Sequence, residues 1–320
     1  MTDTLFAPLD PALAARLQST DAAIRRVALF ELADEENEDN LPLLIAALTD
    51  TAAVVRAEAA RLLAGWETPD VVDVLLGALL DTDEDTRHAA AQSLSELKTG
   101  AAADTLMAWA GHSDPFALAA VLRTLRELRL PQAAGPALLA LTHAEAQVRR
   151  EAVGVLGWLK STSALPQLGQ LAREDEDAEV RRAASGALGF AQGDEVLADL
   201  LAALTDPIWQ VREEAAGTLG KLRLKSALHA LIGALEDDFW QVRLRAARAL
   251  GRVGEPAAIH PLQAALTHPA GNLRKEAAIA LGEIGDLVAA PALALAAADP
   301  DPEVRKAARL ALVRLHGATP

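Results

Sequence analysis

The residues of this chain that could do chemistry recur. Arginine returns about every 31 residues, at Arg25, Arg56, Arg87, Arg149, Arg181, Arg212, Arg243, Arg274 and Arg305; Leu118 holds the register once, and one step of 32 precedes Arg181. Aspartate stands six places ahead of the arginine at Asp50, Asp81, Asp175, Asp206, Asp237 and Asp299. A guanidinium and a carboxylate can hold an anion or move a proton. They can also neutralise each other inside a framework. At the helical turn of about 100° per residue, positions −1, +3, +4, +6 and +7 from the arginine form one apolar arc, and the arginine falls inside it. A covered guanidinium needs a partner, and the aspartate of its own or a neighbouring unit is the candidate. Asp50, Arg56, Asp81, Arg87, Asp206, Arg212, Asp237, Arg243, Asp299 and Arg305 are therefore expected to form a structural ladder.

Other routes to chemistry fail on spacing. Cysteine is absent, which excludes disulfides, thiolate nucleophiles and cysteine-ligated metals. None of His88, His112, His143, His229, His260, His268 and His316 opens a zinc-binding His-Glu-x-x-His motif, so no metal is expected. No glycine-rich phosphate loop or nucleophile elbow is present. Glu213 and Glu214 are neighbours on a helix, about 100° apart, and make no carboxylate dyad. No catalytic residue is assigned.

These residues imply the elements that carry them. A fixed period this short indicates a stacked array of small units rather than a globular domain. In residues 193–223, an amphipathic helix A is expected from Glu195 to Leu204. Asp206-Pro207 breaks it, and a helix B follows from about Ile208 to Leu219, ended by Gly220 and the residues after it. Pro42, Pro136, Pro166, Pro261 and Pro291 lie in the first halves of A helices and suggest curvature. Apolar residues make up 51% of the chain and aromatics only 3%, which suits thin layers of Ala, Leu and Val. The expectation is one array over residues 1–320, with a cap at about 1–20 and a divergent unit around 100–130, where Leu118 replaces arginine.

The net charge of −15 opposes a phosphate backbone, so nucleic acid is not an expected partner. No apolar run is long enough for a membrane span. The opening MTDTLFAPLDP shows no basic segment followed by an apolar run. A cytoplasmic location is expected.

The words DPIWQVREEAAGTLGKL, DDFWQVRLRAARALGRVG and NLRKEAAIALGEIGD carry a D…VR..AA..LG..G skeleton. This pattern resembles the HEAT-like repeats of the phycobilisome-lyase type, over about Asp10 to Leu315. The resemblance implies an all-α fold: a right-handed α-solenoid of about ten helical hairpins, with B helices lining the concave side where partners bind. One iron-dependent family with such repeats uses His-Glu pairs; no histidine here is followed by glutamate, so no iron ligands carry over.

Positions −3, +1 and +5 form a stripe on helix B away from the apolar arc. Gly154, Gly186 and Gly217 occupy +5 in three consecutive units, which suggests clearance for a second molecule. Trp209 and Trp240 occupy −3, followed by Gln210 and Gln241, and their stripes continue through Glu213 and Gly217 and through Leu244 and Arg248. Exposed indoles in a groove are typical anchors, and Arg245 and Arg248 supply charge. The leading expectation is a non-catalytic scaffold or adaptor that holds a protein or peptide on its concave face, with no cofactor. The alternative is a bilin-lyase-like or cofactor-maturation factor, with a bilin or other flat prosthetic group against the tryptophans while it acts on a client protein.

Overall fold

The structure, a computed structural model, describes residues 10–34 and 37–317; most of the first half of the expected cap lies outside them. The chain divides into two compact units, Met1–Leu159 and Lys160–Pro320. The first contains α1 (Pro11–Leu17), α2 (Ala22–Asp34), α3 (Leu41–Ala47), α4 (Ala53–Leu62), α5 (Pro69–Ala78), α6 (Glu84–Ser95), α7 (Ala103–Trp109), α8 (Pro115–Leu128), α9 (Ala134–Ala140) and α10 (Ala146–Leu159). The second contains α11 (Leu165–Glu174), α12 (Ala178–Ala187), α13 (Leu197–Ala203), α14 (Trp209–Leu222), α15 (Leu228–Gly233), α16 (Trp240–Val253), α17 (Ile259–Ala265), α18 (Gly271–Ile284), α19 (Ala290–Ala296) and α20 (Pro302–Gly317). The described residues are thus all-α and form ten helical pairs. In each pair the odd-numbered helix is A and the even-numbered one is B.

Within each unit every B helix packs on the B helix of the next pair, and each A helix packs on its own B helix. The residue pattern explains this arrangement. Position +3 is almost always alanine, as at Ala59, Ala152, Ala215 and Ala246, all fully buried. Leucine fills +7 at Leu63, Leu94, Leu219 and Leu250, also fully buried. The small residue lets helix axes approach while the large one fills the space toward helix A.

Helix starts and stops correct the sequence reading in two places. Helix B does not stop near Leu219: α14 runs through Gly220 to Leu222 and closes at Arg223 in the left-handed region, among the residues after Gly220. Glycine is needed at 220 for approach: a Cβ there would lie 2.6 Å from Ala249 Cα. Gly251 against Ala280 and Gly282 against Ala311 repeat this contact, so glycine at +8 meets alanine at +6 of the next layer. The prolines are the second correction. Pro42, Pro136, Pro166, Pro261 and Pro291 all fall within the first three residues of α3, α9, α11, α17 and α19. There the missing N–H has no place in the α-helical ladder, so these prolines start A helices rather than bend them. A short 3-10 turn precedes each of these five helices.

Candidate functional site

The repeated arginine reaches forward by one layer. Arg25 donates from Nε to Asp50 Oδ2 at 2.7 Å and from Nη2 to Oδ1 at 2.6 Å. Arg56 makes the same pair with Asp81, Arg181 with Asp206, Arg212 with Asp237 and Arg274 with Asp299, over distances of 2.6 to 3.1 Å. The remaining nitrogen, Nη1, reaches back to a carbonyl six residues earlier, as from Arg212 to Asp206 O at 2.8 Å. Each aspartate Oδ1 also accepts the N–H two residues on, as Asp206 does from Ile208 at 2.8 Å. The aspartate thus closes the turn before helix B instead of capping the helix. Caps, where present, come from a second acid two residues later, such as Asp83 and Asp177. The Arg hydrogen bonds hold Asp50, Asp81, Asp237 and Asp299 below the usual carboxylate range, against the opposing effect of desolvation.

Histidine takes the aspartate position in three layers. His112, His143 and His268 each accept, at Nδ1, the N–H two residues on, at 3.0 to 3.1 Å. A neutral imidazole has one acceptor nitrogen, and the turn uses it. Nothing remains for a guanidinium, and Nε of Arg87 and of Arg243 is buried without a hydrogen bond. The Arg87 guanidinium lies over the Phe116 ring instead, 5.0 Å from its centroid, and His112 stacks on Trp109 at 4.6 Å. Leu118, in the arginine register, is simply buried.

At the start of α14 and α16 the second unit presents an exposed apolar patch. Ile208 is 39% exposed, Phe239 41% and Trp240 53%. Trp209 is half-buried, and its indole is stacked on Phe239 with centroids 5.6 Å apart and planes 14° apart. Phe239 also receives the Arg212 guanidinium at 5.5 Å. Ile208 and Phe239 share register position −4, one residue ahead of the tryptophans; the sequence reading passed over them. A matched aromatic or aliphatic residue at −4 was the available signal. Gln210 and Gln241, which follow the tryptophans, are half-buried, and Gln241 Oε1 lacks a hydrogen bond.

The rest of the expected stripe is engaged with the chain itself. A Cβ on Gly154 would meet the Arg126 side chain at 3.0 Å, one on Gly186 the Glu214 carboxylate at 2.8 Å, and one on Gly217 the Arg245 side chain at 3.2 Å. The clearance over each glycine is therefore filled by a long side chain of the adjacent layer. Arg245 pairs with Glu213 at 2.9 Å and Arg248 with Glu276 at 2.7 Å, while Leu244 is half-buried. Position +2 is a further feature that the sequence reading missed. Glu58, Glu151 and Glu276 are buried there, each neutralised by arginine from the preceding B helix.

No cluster of three potential metal ligands occurs among the described residues. No helix among them is long and apolar enough to cross a membrane. Paired helices stacked in series on a 31-residue register define a helical-repeat protein. The family profile for HEAT repeats matches residues 10–95, 41–126, 135–220, 166–239 and 228–313, and the chain belongs to that family. No curated protein matches it. Among solved structures it is similar to an engineered protein at 23% identity and TM-score 0.54, covering 95% of this chain and 98% of that one. It is also similar to YibA of Escherichia coli at 20% identity and TM-score 0.54, covering 93% and 99%. A third likeness, at 17% identity and TM-score 0.62, is to a chain from a study of Kap95p binding to RanGDP in nuclear import complex assembly. It covers 95% of this chain and 49% of that one, so this chain spans about half the length of that relative. At these identities the likeness shows the fold.

Proposed function

We propose that the chain is a non-catalytic protein-binding scaffold that docks a protein or peptide on the B-helix face of its second unit. Ile208, Trp209, Phe239 and Trp240 are the anchor. The observation that carries the reading is the exposure of Ile208, Phe239 and Trp240 together with the half-buried Trp209, whose ring is already stacked on Phe239, on a chain with few aromatics. Preordered aromatic surface of this kind supplies most of the energy in protein interfaces. Glu213–Arg245 and Arg248–Glu276 form a polar rim whose members can exchange partners. The cofactor-maturation alternative would set a flat group against both tryptophans, and Phe239 already covers one face of the Trp209 indole.

The test is the double variant Trp209→Ala/Trp240→Ala, immobilised beside the wild type and exposed to extract of the native host. The expected result is loss of specific partners by about 30-fold or more, as for two hot-spot residues, with unchanged helical circular dichroism. Identical captured sets would overturn the proposal. A visible absorption band that co-purifies with the native protein would favour the alternative.

A further inference from the structure

The first unit holds a different kind of groove. Ligand clefts commonly measure about 300 to 1,000 Å³, and one of 680 Å³ opens on the B-helix face across α4, α6, α8 and α10. Arg61, Gln92 and Arg123 line it from position +5 of three successive layers, and His88, Ala119 and Arg150 from position +1. Alanine at 89, 119 and 120 leaves the space open.

The lining is cationic. The side chains of Arg61 and Arg123 are 44% and 42% exposed, and half-exposed Arg150 donates to Gln147. Asp85 is the one carboxylate among the lining residues. Two buried glutamates lie behind the arginines, and each is shared: Glu58 by Arg26 and Arg61, Glu151 by Arg123 and Arg126. Arg61 also meets Asp85 at 3.3 Å and Arg126 pairs with Glu127 at 2.8 Å, while the Arg150 guanidinium is bonded to the Gln147 amide, so the lining itself carries three guanidiniums against one carboxylate within a molecule of net charge −15. Phe116 adds an apolar wall, fixed by the His88 ring edge-on at 5.1 Å.

We propose that this groove is a second binding site and takes an acidic stretch of peptide, with its carboxylates on Arg61, Arg123 and Arg150. Separate guanidiniums two layers apart, with an amide and a phenyl ring between them, match spaced carboxylates. A phosphate backbone carries a charge on every nucleotide, more than three spaced guanidiniums can pair, and its unpaired phosphates would meet the repulsion of the whole chain. The site is independent of the aromatic patch in the second unit.

The test uses the full chain and fluorescence anisotropy of a labelled glutamate-rich peptide of about 12 residues, a length that crosses several layers at about 3.3 Å per residue. Lysine-rich and Gly/Ser peptides and single-stranded DNA serve as comparisons. The glutamate-rich peptide is expected to bind selectively and to weaken as salt shortens the screening length. Arg150→Glu, at a residue whose hydrogen bond is to Gln147, is expected to weaken binding about tenfold or more. Arg61→Gln provides a second reading with no charge reversal, and circular dichroism checks both folds. Trp209→Ala/Trp240→Ala should leave this binding unchanged, which separates failure here from failure of the aromatic site. Wild-type affinity in both arginine variants, equal binding of the Gly/Ser peptide, or equal binding of DNA would overturn the proposal.

Discussion

Two successive joints of the second unit pack alike and are bonded differently. Between α14 and α16, Gly220 lies against Ala249, and Arg212 grips Asp237 with two hydrogen bonds. Between α16 and α18, Gly251 lies against Ala280, yet Arg243 faces a layer that carries His268, and its Nε has no hydrogen bond. The turn geometry survives the exchange, because both aspartate and histidine accept the N–H two residues on. What differs is acceptor capacity. A carboxylate has about four lone-pair sites and a neutral imidazole has one. Closing the turn and bonding the previous layer are therefore separable tasks of one position. Apolar packing suffices to join layers, and the rung adds to it.

The largest test of this comparison removes the intact rung. Asp237→Ala strips Arg212 of a bidentate partner and leaves a largely covered guanidinium with Nε and Nη2 unsatisfied. Destabilisation of about 3 kcal/mol is expected, in the range for breaking a covered charge pair from one side. Urea unfolding followed by tryptophan fluorescence reads it, since Trp209 and Trp240 report on this unit. A loss below about 0.5 kcal/mol would show that the rung is an ornament of the packing, as exposed ion pairs often are.

The next test repairs the broken joint. His268→Asp keeps an acceptor for the Ala270 N–H and offers Arg243 a carboxylate. A gain of about 1 kcal/mol is expected for charge-assisted hydrogen bonds made to a donor already in place. No gain in the urea midpoint would mean that the histidine layer is spaced differently from its neighbours, and the comparison would fail.

The sequence carried much of this fold and less of the site. The arginine period alone separates the helical pairs and locates the buried arc, because a 31-residue register repeats one helical face in every layer. It leaves open whether Asp237 serves Arg243 of its own layer or Arg212 of the one before. That choice depends on the offset between layers, which no single repeat contains. The same offset decides that Gly220 sits on Ala249, that Phe239 covers Trp209, and that Arg126, Glu214 and Arg245 fill the space over Gly154, Gly186 and Gly217. Trp209 and Trp240 could be singled out because aromatics are scarce and these two share a register position. Glu58, Glu151 and Glu276 could not, since a glutamate on a helix reads as solvated until the arginine of the preceding layer is placed beside it.

The smallest effect is a convergence in acid. Asp237 and Asp299 have carboxylates held low by Arg212 and Arg274. A carboxylate whose folded pKa is depressed binds fewer protons folded than unfolded between the two values, so its stabilisation is complete above the ordinary aspartate range of about 4 and is lost as pH falls through the lower folded value. The urea midpoint of the wild type should therefore be nearly flat from about pH 7 to 5 and fall below about 4. His268→Asp adds one more carboxylate of the same kind, so its advantage should be full at neutral pH and shrink as pH drops, until the two proteins unfold at similar urea concentrations. An advantage that persists in acid would assign the gain to the removal of the imidazole rather than to the new rung, and the difference between the two joints would then lie in steric fit.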